Sequence, residues 1–404
     1  MRICLISREY PTEEHTGGIA TYTEKTARAL ARLGQHVTVI TESGSVPHPT
    51  TEWVDGVALI RLPPPQNPPG LVWRARNVAH ALDALLPPQD IVQACEYRAE
   101  AFWYALHKRE RTRLITRLAT PTSLVEQLNS HDRATSIRTH IVDRLERLQA
   151  RRSDAIISPT GALAEIACQQ WHIPRDRVAT VRTGVEFAQR YGSHGAELPA
   201  EMAGTQYVMY FGRLEERKGV HILAQALPEV LARHPQLHAV FVGNVQSYHG
   251  LSLQSFIERC NAAHVDRLHF FPRLSQSELA PLLAHARFAV LPSLWENLAN
   301  TCLEALDMGK PVVATLGCGF SEVIEEGRSG MLVPPGDVSA LREAMLAMLS
   351  DPGRLARMSA QAKVRAAAFS QDAVAQDLLR FYKTVQGTPA IQRRLVPLAL
   401  PGRR

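Results

Sequence analysis

Tyr207-Val208-Met209-Tyr210-Phe211-Gly212-Arg213-Leu214-Glu215-Glu216-Arg217-Lys218-Gly219 reads as an apolar strand that ends in glycine, a loop with Arg213 and Lys218 five apart, and the opening of a helix. Strand, loop and helix in that order form the repeating unit of a parallel α/β sheet. A guanidinium and an ammonium held between a strand end and a helix N-terminus make a clamp for a diphosphate. Arginine forks onto phosphate oxygens, lysine adds a point charge, and the helix dipole adds partial positive charge. Taken alone, the octapeptide Gly212–Gly219 is also compatible with a solvated charged turn.

The same alternation runs outward in both directions. Upstream, strands are expected at Ile3–Ser7, His36–Ile40, Val57–Arg61, Ile91–Ala94, Leu114–Leu118, Ala155–Ser158 and Val178–Val181, with a helix over Ile19–Leu33 and further helical stretches between most of them. Downstream, strands are expected at Ala239–Val242, Leu268–Phe271, Phe288–Leu291, Val312–Ala314 and Met331–Val333, with helices at Leu279–Ala286 and Ala340–Leu349. Periodicity fades over Phe187–Gln206, which divides the chain into a first domain (1–186), a linker (187–206) and a second domain (207–369). A last helix (370–386), with Ser370 as its N-cap, is expected to pack back toward the first domain, and a basic tail (387–404) follows. The proline-rich Leu62–Gly70 reads as a stiff surface loop, because prolines lack donors and hold φ near −65°. Two doubly wound domains of similar size, each binding at the carboxyl ends of its strands, place a site in the cleft between them.

Composition supports this reading. A chain of 404 residues, 45% hydrophobic and 21% charged, is long enough for two or three domains with their own cores. A net charge of +6 and a pI near 9.1 are too mild for a dedicated nucleic-acid binder, but leave a pull toward phosphate-bearing ligands or an anionic membrane. No apolar run approaches the ~20 residues needed to cross a bilayer. Ile3-Cys4-Leu5-Ile6 passes directly into Ser7-Arg8-Glu9 with no signal-peptide pattern, so a cytoplasmic location is expected. The six cysteines include no C-x-x-C pair and read as small buried hydrophobes.

Two further stretches carry chemistry. In Pro292-Ser293-Leu294-Trp295-Glu296-Asn297-Leu298-Ala299-Asn300-Thr301-Cys302-Leu303-Glu304, the glutamates stand eight apart, Glu296 in a loop and Glu304 on a helix. Each carboxylate can accept a pair of hydroxyl donors, as vicinal diols provide, while amides from Asn297 to Thr301 face a helix mouth where an anion would lie. A solvated loop acid beside an ordinary first-turn glutamate would read the same way. In Arg8–Ile19, the loop after the first strand closes on Gly17-Gly18, where backbone amides can approach a ligand closely. G-x-G-x-x-G is absent after this strand, which counts against a nicotinamide dehydrogenase. His15, Glu96 and Tyr97, on loops after strands, are candidates for acceptor contacts; solvent exposure for His15 and a core-rim position for Tyr97 are equally open.

In this order the motifs resemble the retaining nucleotide-sugar glycosyltransferases of family 4 (glycosyl transferases group 1), of GT-B fold, over nearly the whole chain. Further matching segments are Ala155–Thr160, Val181–Val185, Gly309–Thr315 and Leu332–Asp337. The resemblance implies two doubly wound Rossmann-like domains facing each other across a cleft. It implies that Arg213 and Lys218 hold the donor diphosphate, that Glu304 binds ribose hydroxyls, and that Glu296 contacts the donor sugar. Gly17, Gly18, Asn297, Leu298, Ala299, Asn300 and Thr301 complete the implied donor site, with Arg273 and Leu274 as nucleobase candidates. Two departures stand out. Glu296-Asn297-Leu298-Ala299 replaces the Glu-Gly-Phe-Gly often found in the family, and Ala119 stands where a histidine is common.

What the resemblance implies chemically is a hexosyl transfer, with a UDP-sugar favoured, in which the departing phosphate takes the acceptor's proton on the face it leaves. No protein nucleophile, cofactor or metal is called for. The partners are a nucleotide-sugar donor and a hydroxyl acceptor, with no nucleic acid. An epimerase of the same architecture and a catalytically silent nucleotide-sugar-binding protein are the alternatives. Arg133–Arg152 is a basic helix that could lie peripherally on anionic lipid, although Ile137, Ile141, Leu145 and Leu148 are more simply expected to pack on the sheet.

Overall fold

The computed structural model describes residues 1–11, 17–64, 70–129, 136–192 and 197–388. The first domain is built on β1 (Arg2–Ile6), β2 (His36–Glu42), β3 (Thr50–Val54), β4 (Val57–Leu62), β5 (Ile91–Cys95), β6 (Arg113–Arg117), β7 (Ala155–Ser158) and β8 (Val178–Thr180). They form one sheet in the order β3-β4-β2-β1-β5-β6-β7-β8, parallel throughout except for β3. Helices cover both faces, so the central strands are apolar on both sides: Ile3, Cys4, Leu5 and Ile6 are all buried. β3 escapes the sequence pattern because it is an exposed edge, with Trp53 74% exposed. It is joined to β4 by Asp55-Gly56, both at positive φ, as a tight hairpin turn requires. Of the proline-rich loop, 65–69 lie outside the described residues, and a helix starts at Gly70.

The second domain carries β9 (Gln206–Phe211), β10 (Leu237–Val242), a short hairpin β11 (Ser247–Tyr248) and β12 (Leu251–Ser252), then β13 (Leu268–Phe271), β14 (Ala289–Leu291), β15 (Val312–Thr315) and β16 (Gly330–Val333). Its main sheet is entirely parallel, in the order β13-β10-β9-β14-β15-β16. Strand order reverses at β9, so the loop Gly212–Gly219 leaves the sheet at a topological switch point, where such sheets open a crevice. β1 has the same place in the first sheet, between β2 and β5.

The stretch 187–206 differs from the expected linker. It holds a helix, Phe187–Tyr191, and a 3-10 turn, Ala200–Met202, and both Phe187 and Met202 are buried in the second domain's core. Periodicity fades there because single anchors, rather than a repeating face, attach it. The chain passes between domains at Val185 and again at Phe369–Gln371. Val185 N donates to Phe369 O at 2.8 Å, and Gln371 N donates to Val185 O at 2.9 Å. The two passages lie so close that a Cβ on Gly184 would stand 2.7 Å from Gln371 Cα. The helix Gln371–Gly387, N-capped by Ser370, then returns to the first sheet. Leu378, Tyr382 and Val385 join Ile3, Leu5 and Ile91 in one core.

Candidate active site in the interdomain cleft

A cavity of about 310 Å³ opens between the carboxyl ends of the two sheets. The second domain contributes Arg213, Glu296, Asn297, Leu298 and Asn300; the first contributes Gly18, Tyr22, Tyr97, Arg117 and Thr120 among others.

The donor side is set by Gly219. Its φ of +67° and the 1.8 Å separation between a built Cβ and Pro292 O leave room for glycine alone. This contact brings the loop after β9 against the loop after β14. There Lys218 Nζ pairs with a Glu296 carboxylate oxygen, and Arg217 Nη1 lies 4.0 Å from the same oxygen. Burial alone would push the Glu296 carboxyl up. The ammonium of Lys218 and the guanidinium of Arg217 together outweigh it and hold the carboxyl below its ordinary value. Arg213 remains largely exposed at the cavity edge, 3.2 Å from Glu215.

Asn297 lines the cavity and its side chain also crosses to the first domain. Its Oδ1 accepts from Thr160 Oγ1 at 3.0 Å and its Nδ2 donates to Ala119 O, so the side chain fastens the donor loop to the first domain. A second fastening lies nearby: Glu322 accepts from the amides of Gly161 and Ala162, both at 3.0 Å. Leu298 and Asn300 line the cavity, Ala299 is the buried N-cap of the helix Asn300–Asp307, and Thr301 is half-buried in its first turn. Glu304, on that helix, is buried 3.9 Å from Lys25 Nζ of the first domain. Burial raises its pKa, and Lys25 opposes the rise.

On the first-domain side, Gly17 and Gly18 are exposed at the start of the helix Gly18–Arg32. The Gly17 amide donates to Glu9 Oε2 at 3.1 Å, and a Cβ on Gly18 would stand 3.6 Å from Asn300 Nδ2. His15 lies outside the described residues. Tyr97 lines the cavity, but Glu96 does not. Glu96 is completely buried and accepts from the Ala119 amide at 2.7 and 2.8 Å and from the Cys95 thiol at 3.1 Å. The chain turns sharply after β5, with Arg98 and Ala99 at positive φ, and this folds Glu96 beneath the strand ends. Glu96 therefore holds the Ala119 loop rather than facing a ligand. Arg273 is exposed and Leu274 half-buried, and neither lines the cavity.

The basic helix Ile137–Arg152 also presents a different face from the expected one. Ile137 is 83% and Ile141 52% exposed, while Val142, Glu146, Gln149 and Ala150 are buried. Polar residues turn inward because the strand ends need partners. Glu146 accepts from Arg98 N at 2.7 Å and Thr122 N at 3.0 Å, and Gln149 links Ala101 N and Cys95 O. Burial, reinforced by the charge of Glu96, pushes the Glu146 carboxyl up to about 8. Among the described residues, no helix is long and apolar enough to cross a membrane.

Tyr22, Lys25, Arg117 and Arg217 belong to the site but are not singled out by the sequence. Arg117 has a readable signal, a cation that closes a buried parallel strand at its carboxyl end. Lys25 and Tyr22 looked like ordinary helix residues.

Two doubly wound sheets meeting at a cleft, with cations and carboxylates gathered at a switch point, make up the two-domain GT-B architecture. Residues 205–351 match the family described as Glycosyl transferases group 1, and residues 16–189 match Glycosyltransferase Family 4. The chain belongs to this group 1, family 4 class of nucleotide-sugar glycosyltransferases. It is 28% identical to a glycogen synthase of Mycobacterium tuberculosis, over 100% of both chains. Among solved structures, the sucrose-phosphate synthase of Thermosynechococcus elongatus superposes with a TM-score of 0.75 at 22% identity, covering 95% of this chain and 98% of that one. HepE of Anabaena, in complex with UDP-glucose, does so with a TM-score of 0.67 at 18% identity, covering 95% and 99%.

Proposed function

We propose that the chain transfers a hexosyl group from a nucleoside diphosphate sugar, with UDP favoured as the nucleoside diphosphate, to an acceptor hydroxyl with retention of configuration and without a metal ion. The observation that carries this reading is the meeting of Lys218, Arg217 and Glu296 beside Arg213 at the switch point of the second sheet. In the reaction, the bond between the anomeric carbon and the diphosphate oxygen breaks as the acceptor oxygen bonds to the same face of that carbon. The acceptor's proton passes to the departing phosphate. Charge growing on the diphosphate is met by Arg213 at the cavity edge and by Lys218, which Glu296 holds beside it. Glu296 orients the sugar through its hydroxyls, and the ribose diol takes Glu304, displacing Lys25 as its partner. The UDP-glucose bound by HepE supports a UDP-linked glucose as the first donor to try.

The test is a donor turnover assay with the product's anomeric configuration read by NMR, with and without EDTA. An α-linked donor giving an α-linked product at a chelator-insensitive rate is expected. Inversion, or activity abolished by EDTA, refutes the corresponding half of the proposal. Sugar isomerisation with no acceptor present would favour an epimerase instead.

A further inference from the structure

The first-domain wall of the cavity carries a charge that the donor clamp on the opposite wall does not explain. Arg117, the last residue of β6, lines the cavity yet is only 7% exposed. Its guanidinium carbon lies 3.7 Å over the centre of the Tyr22 ring. Nη1 donates to Leu118 O at 3.0 Å and Nη2 to Thr183 Oγ1 at 2.7 Å, while the buried Nε has no partner. The other buried lysine and arginine side chains meet carboxylates: Arg74 pairs with Glu42 and Glu100, and Lys25 with Glu304. Arg117 is the one buried lysine or arginine side chain, among the described residues, that makes no ion pair with a carboxylate. A cation withdrawn from water without a counter-charge is costly, and a binding site is where such a cost is offset by ligand.

The surroundings hold it in position. Tyr382 donates to Gln93 Oε1 at 2.8 Å, and Gln93 Nε2 donates to the Tyr22 hydroxyl at 3.1 Å, so the ring beneath the guanidinium is fixed by a buried chain of hydrogen bonds. Thr120, Tyr97 and Thr183 place further polar side chains on the same wall. The cavity's lining carboxylate, Glu296, stands on the opposite wall, paired with Lys218 and assigned above to the donor sugar, so the acceptor side carries no carboxylate of its own. A cationic acceptor would therefore meet Arg117 with no carboxylate to pair with, whereas an anionic one would complete the site.

We infer that the acceptor carries an anionic group, a phosphate monoester or a carboxylate, which docks on Arg117 in the first-domain wall; this rests on the glycosyltransferase reading above. The test uses the enzyme saturated with the nucleoside diphosphate that binds it. Calorimetric titration follows with inorganic phosphate, glucose 6-phosphate, glucuronate and glucose, on wild type and on Arg117→Gln and Arg117→Lys. Wild type should bind an anionic ligand about 10- to 100-fold tighter than glucose, with the phosphate and carboxylate arms telling the two anions apart. Arg117→Gln should lose the preference while keeping its nucleotide affinity, and Arg117→Lys should keep part of it, because charge remains while the fork is lost. Equal affinities in wild type, including the case in which none of the probes binds, overturn the inference, as does a preference that survives in Arg117→Gln. Nucleotide affinity lost in a folded Arg117→Gln would also overturn it, by placing the guanidinium on the donor. If that variant fails to fold, the wild-type comparison and Arg117→Lys decide. Wild type that binds no nucleotide would instead remove the glycosyltransferase reading itself.

Discussion

Replacing Lys218 separates its structural role from its proposed catalytic one. The Glu296 side chain is 13% exposed and its partner Lys218 18%, so the pair is largely withdrawn from water. Removing one member of such a pair costs ~3 to 5 kcal/mol of stability. Arg217 at 4.0 Å keeps part of the compensation, which brings Lys218→Met below that range, to ~2 to 3 kcal/mol. Adding Glu296→Gln removes the stranded charge and should restore all but about 1 kcal/mol in urea unfolding. Turnover should behave differently. Loss of a preorganised cation beside a developing anion costs ~2 to 4 kcal/mol of transition-state stabilisation, or ~30- to 1000-fold in rate. That loss should persist or deepen in the double variant, which also lacks the carboxylate assigned to the donor sugar, when nucleotide release is followed at saturating donor. Near-normal turnover in Lys218→Met, or its recovery in the double variant, would show that Lys218 only neutralises Glu296.

Asn297→Ala removes both links from the donor loop to Thr160 and Ala119 and leaves their partners unsatisfied; a loss of ~1 to 3 kcal/mol in unfolding free energy is expected, and a change below about 0.5 kcal/mol would mean the links contribute nothing. Glu304→Gln should weaken nucleoside diphosphate binding about tenfold by calorimetry, whereas an unchanged affinity takes the ribose from Glu304. Glu146, with its pKa raised to about 8 by burial, binds a proton in the folded state that the unfolded chain releases near pH 4.5. The folded state therefore holds more protons across that interval, and wild type should lose stability relative to Glu146→Gln as pH rises from 5 to 8, by up to about 1.4 kcal/mol per pH unit. Parallel pH profiles for the two proteins would contradict this.

What could be read from the sequence follows the physics of burial. Strands such as Ile3–Ile6 and Val312–Thr315 are buried on both faces and announce themselves as apolar runs. β3 is exposed and carries no such pattern. The helix Ile137–Arg152 misled for the complementary reason: its isoleucines face outward, while Glu146 and Gln149 turn inward to satisfy amides and a carbonyl that are distant in sequence. Glu96 misled in the same way, since a carboxylate that holds a loop and one that meets a ligand look identical in a string of residues. The loops Gly212–Gly219 and Pro292–Glu304 were legible because their charges fall at strand ends and helix starts. The partners drawn from the other domain, Lys25 on Glu304 and Asn297 on Ala119, depend on three-dimensional closure that spacing does not encode.

The claim that Arg213 and Lys218 clamp a donor diphosphate is tested most directly by calorimetric titration of the purified chain with UDP, GDP, ADP and dTDP, with and without EDTA. Binding of one of them, insensitive to the chelator and weakened at least tenfold in both Arg213→Ala and Lys218→Ala, is expected from two charge-assisted contacts. No binding by any of the four at millimolar concentration, or equal binding by wild type and both variants, would contradict it.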